Sequence, residues 1–166
     1  MKIFLIGLPG SGKSTLGKAL AGRLGLPFID LDHEIENAYG APIPDIFSDK
    51  GEAFFREMEA TILNELIEQN ENFVMAAGGG TPCHHQGIER MNAAGITIFL
   101  DVPVATIVNR LDEELKSNRP LLSGEHNDLR KTLTELYENR VPVYRKAKDV
   151  ISGSDITVDE LVSVLG

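Results

Sequence analysis

Apolar residues along this chain follow two rhythms that alternate from one end to the other. "KIFLI" (2–6), "FIDLD" (28–32), "FVMAA" (73–77), "ITIFLD" (96–101) and "DVISG" (149–153) are short runs that read as strands. The first, third and fourth lack polar alternation, as expected of strands buried on both faces of a sheet. Between the runs, apolar residues recur at helical spacing. "STLGKALAGRL" (14–24) is stopped by Gly25, and "HEIENAYG" (33–40) ends at Gly40. Pro42 and Pro44 mark a connection, after which "EAFFREMEATILNELIEQN" (52–70) carries Phe55, Met58, Ile62 and Leu66 on one stripe. Further helices are predicted around "GIERMNAAG" (87–95), over "PVATIVNRL" (103–111) with its first-turn proline, over 129–141, and over 158–165. The stretch 112–126 is polar and reads as a connecting segment. Five strands separated by helices predict an α/β fold: a parallel sheet covered on both faces. Ligands of such sheets bind beyond the carboxyl ends of the strands.

Composition narrows the partners. The 166 residues suit one domain, 1–166, with 42% hydrophobic and 25% charged residues, as in water-soluble globular chains. No apolar run approaches the ~20 residues of a membrane helix, and the opening strand lacks a cleavage signature. Cytoplasmic localisation is therefore expected, with no membrane partner. Cys83, the one cysteine, cannot form an internal disulfide, which agrees with a reducing compartment. A net charge of −9 with dispersed basic residues argues against nucleic acid as a partner. Exposed charges are screened beyond roughly 8 Å, so a local cationic pocket for a small anion is compatible with that balance.

Such a pocket is announced by "GLPGSGKS" (7–14), which fits G-x-x-x-x-G-K-[ST] through Gly7, Gly12, Lys13 and Ser14. Glycines let backbone N–H groups converge on phosphate oxygens, and the helix that follows presents its positive N-terminus. Lys13 supplies charge to the outer phosphates, and the Ser14 hydroxyl is a Mg²⁺ ligand. Gly10, Ser11, Gly12, Lys13, Ser14 and Thr15 are thus the candidate ATP contacts. What becomes of the phosphate depends on the rest of the chain.

"FIDLD" sets Asp30 and Asp32 two apart on a predicted strand, which would aim both carboxylates to one side. One acid can position Mg²⁺ through water while the other binds an acceptor hydroxyl and takes its proton. Capping of the next helix by Asp32 is the plainer alternative. Phosphoryl transfer asks mostly for positioning and charge stabilisation, so a strong base is not required. The strand "FVMAA" ends in "GGG" (78–80), where other P-loop ATPases carry a metal-holding aspartate. Bare backbone there suits close approach of a ligand.

"GLPGSGKST", "FIDLD", "FREME", "GGG", "NRPLL" and "RVPVY" stand in the order found in shikimate kinases, and the chain resembles that family over nearly its whole length. The resemblance implies a P-loop, nucleoside-monophosphate-kinase-like fold with strand order 2-3-1-4-5 and a mobile lid at about 112–126. It implies transfer of the γ-phosphoryl of ATP to the 3-hydroxyl of shikimate, with Mg²⁺, in chorismate and aromatic amino-acid biosynthesis by a monomer. Carried over residue by residue, Asp32 binds the shikimate hydroxyls and serves as base, and Asp30 supports the metal through water. Arg56 and Arg140 grip the substrate carboxylate, and Gly78, Gly79 and Gly80 line its site. Arg119 reaches the phosphates and substrate from the lid, completing a catalytic set with Asp32 and Lys13, and Arg110 lies against adenine. Planar, bidentate arginines suit a small carboxylate better than lysines do.

Plainer readings attach to several of these residues. Arg56 and Glu59, three apart on a helix, suit a surface ion pair, and Arg140 and Arg119 suit solvated charges. His84 and His85 beside Cys83 lack a second ligand cluster and are read as surface or helix-start residues. Phe47 and Phe54 are assigned either to the core or to the wall of the acceptor pocket. Two rival functions share the phosphate loop: a kinase of another small acceptor such as gluconate or a nucleoside monophosphate, and a slowly hydrolysing nucleotide switch.

Overall fold

Residues Ile3 to Ile6 are completely buried, and successive side chains of their strand enter two different cores. Phe4 and Ile6 join one hydrophobic cluster while Ile3 and Leu5 join the other. That alternation is the period of a strand, and it places β1 (Lys2–Ile6) at the centre of a two-sided sheet. In the computed structural model of the chain, which describes residues 1–118 and 125–166, five parallel strands run in the order β2-β3-β1-β4-β5. The others are β2 (Phe28–Asp30), β3 (Phe73–Ala76), β4 (Ile96–Asp101) and β5 (Asp149–Ser152). Two helices, α1 (Lys13–Leu24) and α7 (Val158–Val164), cover the Ile3 and Leu5 face through Leu20, Ala21 and Leu161. The opposite face is covered by α2 (Leu31–Tyr39), α3 (Ile43–Gln69), α4 (Gly87–Ala94), α5 (Val104–Asn118) and α6 (Glu125–Tyr144). Sheet and order agree with the expectation.

Four local departures bear on the site. Strand β2 stops at Asp30, whose carboxylate accepts from the His33 amide at 3.3 Å and caps α2. Asp30 is therefore the cap, and Asp32 stands in the first helical turn rather than on a strand. The prolines at 42 and 44 open a helix instead of a plain connection: Pro44 sits in the first turn of α3, where its missing N–H would be unpaired anyway. That helix kinks at Gly51 (φ 83°, ψ 171°), which separates the added turns from the predicted helix beyond. Residues 112–118 of the expected lid continue α5, and residues 119–124, Arg119 among them, lie outside the described residues. The next helix begins at Glu125 and runs through Pro142 to Tyr144, longer at both ends than its apolar spacing predicts.

Phe47 settles on the core side, its ring 4.7 Å from that of Phe55. Phe54 is exposed on the outer side of α3 and meets Tyr39 edge-on at 6.1 Å. Neither lines the main cleft.

Candidate active site

Where β1 ends, the chain turns over the sheet edge with Gly10 (φ 81°) and Gly12 (φ 94°) in left-handed conformations, which glycine adopts without Cβ strain. The turn feeds directly into α1, so its backbone lies at that helix's N-terminus. Lys13 folds back and donates to the carbonyls of Gly7 (2.9 Å) and Leu8 (2.8 Å). Burial pushes its pKa down to about 8; Asp32 and Asp30 oppose that shift, and Arg140 adds to it. Ser14 Oγ donates to Asp30 Oδ2 at 2.9 Å, so a hydroxyl and a carboxylate stand together beside the phosphate loop. Two hard oxygen donors in that position fit Mg²⁺, which takes few protein ligands and keeps several waters. Ser11 also lines the cleft, although its hydroxyl is buried and finds no hydrogen-bond partner among the described residues.

The loop forms one wall of a cleft of about 790 Å³ that reaches across the carboxyl ends of β2, β3 and β4. At one end Arg110, Leu111 and Ile156 line it, and Arg110 Nη2 donates to the Ser154 carbonyl at 2.5 Å. At the other end stand Asp30, Asp32 and Glu36 opposite Gly78 and Gly79. The half-buried Asp32 carboxyl is raised to about 6, chiefly by burial and then by the charges of Asp30 and Glu59, against the pull of Lys13.

The glycine strip explains how the acid and the two arginines come together. A Cβ built on Gly78 would lie 2.9 Å from Asp32 Oδ1 and 3.3 Å from Glu59 Oε2. One on Gly79 would lie 3.0 Å from Arg140 Nη1, and one on Gly80 2.5 Å from Arg56 Nη2. The carboxylate and the guanidiniums are thus laid in sequence against bare backbone, each occupying the space a side chain would fill. All three residues are brought to one place, and that place adjoins the Lys13 loop.

The Arg56–Glu59 pair corrects the surface ion pair suggested by its spacing. The bond is present at 3.0 Å, but the side chains are only 11% and 3% exposed. Glu59 also accepts from the Thr81 hydroxyl at 2.8 Å, and the Arg56 guanidinium lies 5.1 Å from the Phe55 ring centre. Glu59 is therefore a positioning residue that spacing alone does not reveal. Tyr144 is another: it is fully buried and donates to the Gly79 carbonyl at 2.6 Å. Cys83 sits near both arginines, where burial pushes its thiol pKa up and keeps the group protonated.

Arg56, Arg140 and Gly80 do not line the cleft itself. A phosphate loop that faces an acid across the cleft, with two guanidiniums laid on the adjoining glycine strip and on this strand order, defines a P-loop kinase of a small anionic acceptor. Comparison with known proteins resolves the class further: a family model described as shikimate kinase matches residues 9–165. The shikimate kinase of Bacteroides fragilis is 44% identical over 148 residues, 89% of this chain and 82% of that one. The crystal structure of the Bacteroides thetaiotaomicron enzyme superposes with a TM-score of 0.88 at 38% identity, covering 99% of this chain and 96% of that one. The shikimate kinase of Acinetobacter baumannii, solved in complex with shikimate, gives 0.84 at 37% identity, covering 99% and 89%. The chain belongs to the shikimate kinase family.

Proposed function

We propose that this chain transfers the γ-phosphoryl of ATP to the 3-hydroxyl of shikimate, in aromatic biosynthesis, through the residues just described. The observation that carries the assignment of roles is the glycine strip, along which Asp32, Arg140 and Arg56 lie beside the Lys13 loop. Residues 10–15 cradle the triphosphate, and Arg110 holds the adenine end. The substrate carboxylate lies toward Arg56 and Arg140, and the ring rests in the cleft beside Gly78 and Gly79 with its 3-hydroxyl toward Asp32. The new bond joins the hydroxyl oxygen to the γ-phosphorus while the bridging oxygen to the β-phosphate leaves with ADP. Asp32 takes the hydroxyl proton and later gives it to water. Lys13 moves from its loop carbonyls onto the phosphates and stabilises the charge there. Mg²⁺, held by Ser14 and through water by Asp30, neutralises phosphate charge when bound. Arg119, which lies outside the described residues, is assigned to the transferring phosphoryl. The protein is proposed to work as a cytoplasmic monomer; no helix of the described residues is long and apolar enough to cross a membrane.

An acceptor panel tests the reading. ADP release from ATP and Mg²⁺ is expected to rise at least about 100-fold on adding shikimate, but not with gluconate or nucleoside monophosphates. A factor of that size corresponds to about 2.7 kcal/mol of barrier. Release that ignores every acceptor would support the slow switch instead.

The strip makes a sharper expectation. Gly80 has right-handed backbone angles (φ −90°, ψ −10°), so alanine there is conformationally acceptable, yet its methyl would displace the Arg56 guanidinium. Gly80→Ala is expected to raise KM for shikimate about 10- to 100-fold, on the order of one lost charge-assisted hydrogen bond. The melting temperature should fall as well, because the displaced guanidinium weakens its buried pair with Glu59. An unchanged KM contradicts the assignment of Arg56 to the substrate.

A further inference from the structure

We propose that the Tyr144 hydroxyl is a positioning group for substrate binding: it ties the Gly79 backbone to the end of the helix that carries Arg140 and thereby fixes the spacing of the two arginines. The inference rests on the reading of Arg56 and Arg140 as the carboxylate clamp. Tyr144 closes α6 with its ring 5.0 Å from that of Phe99, fully buried. Its hydroxyl crosses 65 residues of sequence to donate to the Gly79 carbonyl at 2.6 Å. Arg140 lies one helical turn earlier, so the two side chains share a face of the helix. The guanidinium's Nη1 fills the space over Gly79, 3.0 Å from where a Cβ would stand. The hydroxyl therefore fastens to the strip the same helix end from which Arg140 reaches it.

The second arm of the clamp is built alike. Glu59 holds Arg56 at 3.0 Å and accepts from Thr81 at 2.8 Å, and the Thr81 amide donates to the Gly78 carbonyl at 3.1 Å. Both arginines are thus referenced to residues 78–81 rather than to their own distant helices. Phenylalanine would serve packing against Phe99 equally well, whereas a buried phenol demands a hydrogen-bond partner. The partner here is the backbone beneath the substrate. Burial pushes the phenol up to about 12 in spite of Arg140, so the hydroxyl remains a donor at working pH.

Tyr144→Phe keeps the ring and removes the tether. KM for shikimate should rise about 5- to 30-fold, the effect of losing one buried hydrogen bond. The values of kcat and of KM for ATP should stay within about twofold, because uniform binding is what is lost. Phe99→Leu loosens the same packing without touching the hydroxyl; it should lower the melting temperature and leave KM for shikimate unchanged. In an Arg140→Ala background, Tyr144→Phe should add nothing further to KM, since both changes break one linkage. Full additivity, an unchanged KM in Tyr144→Phe, or an equal rise in Phe99→Leu overturns the proposal. Should Tyr144→Phe not fold, the wild-type sequence labelled with 3-fluorotyrosine replaces it. The chain has three tyrosines, and Tyr39→Phe and Tyr137→Phe assign their ¹⁹F signals. The Tyr144 signal should move with saturating shikimate and not with ATP; a signal indifferent to shikimate overturns the proposal. Wild-type protein that shows no shikimate-dependent ADP release would instead refute the function itself.

Discussion

Asp32→Asn is expected to lower kcat by about 10²- to 10⁴-fold, the range of a lost general base, with KM for ATP nearly unchanged. Asparagine retains the size and one acceptor oxygen of the side chain but cannot take the proton. The pH profile separates this from simple misplacement. Asp32 titrates at about 6 in the ligand-free protein, and Lys13 at about 8. The wild-type kcat/KM should therefore rise as pH increases through about 6 and fall beyond about 8, when Lys13 loses its charge. Only the rising limb should vanish in Asp32→Asn.

Stability should move in the opposite sense to activity. Between the ordinary Asp value of 3.8 and about 6, the native protein holds a proton that the unfolded chain has released. Stability then falls as pH rises across that window, and the loss is complete above it. Asp32→Asn lacks the ionisation, so at pH 8 the variant should melt above wild type while near pH 4 the difference narrows. A variant that retains wild-type kcat and its acid limb would exclude Asp32 as the base.

These groups were differently visible in the sequence. The phosphate loop is readable because its glycines, Lys13 and Ser14 are contiguous, and the strand before it is buried on both faces. The sheet follows from five short apolar runs, of which three carry that both-faces burial and the edge strands β2 and β5 do not. Asp30 and Asp32 were correctly drawn to the cleft but by the wrong geometry, because one hydrogen bond from His33 ends the strand at Asp30. The short helix before Gly51 was hidden by prolines that act as starters there rather than breakers. The spacing of Arg56 and Glu59 is common to exposed pairs and buried ones. What buries this pair is the return of the chain at Thr81, 22 residues beyond Glu59. The Tyr144 tether spans 65 residues, and no local periodicity carries such a contact. Legibility thus follows contact range: motifs and layers were local, and the supports behind the clamp were not.

Those supports yield the second large effect. Glu59→Ala removes the near partner of a guanidinium that stays buried and takes the acceptor from the Thr81 hydroxyl. Glu52 cannot substitute, because it is 63% exposed and stands 3.7 Å from Arg56 Nε. Breaking a buried pair from one side costs about 3–5 kcal/mol, which is roughly 6–20 °C of melting temperature for a chain of this size. KM for shikimate should also rise at least about 10-fold, as the buried Arg56 loses the partner that orients it over the glycine strip. Converting both residues to methionine distinguishes the two consequences. With no charge left stranded, the double variant should recover much of the lost stability, since apolar replacement of a buried pair is often neutral. It should not recover shikimate binding, because the guanidinium itself is gone. If Glu59→Ala melts within 2 °C of wild type, or if the double variant is no more stable than the single, the pair is not the buried strut on which Arg56 depends.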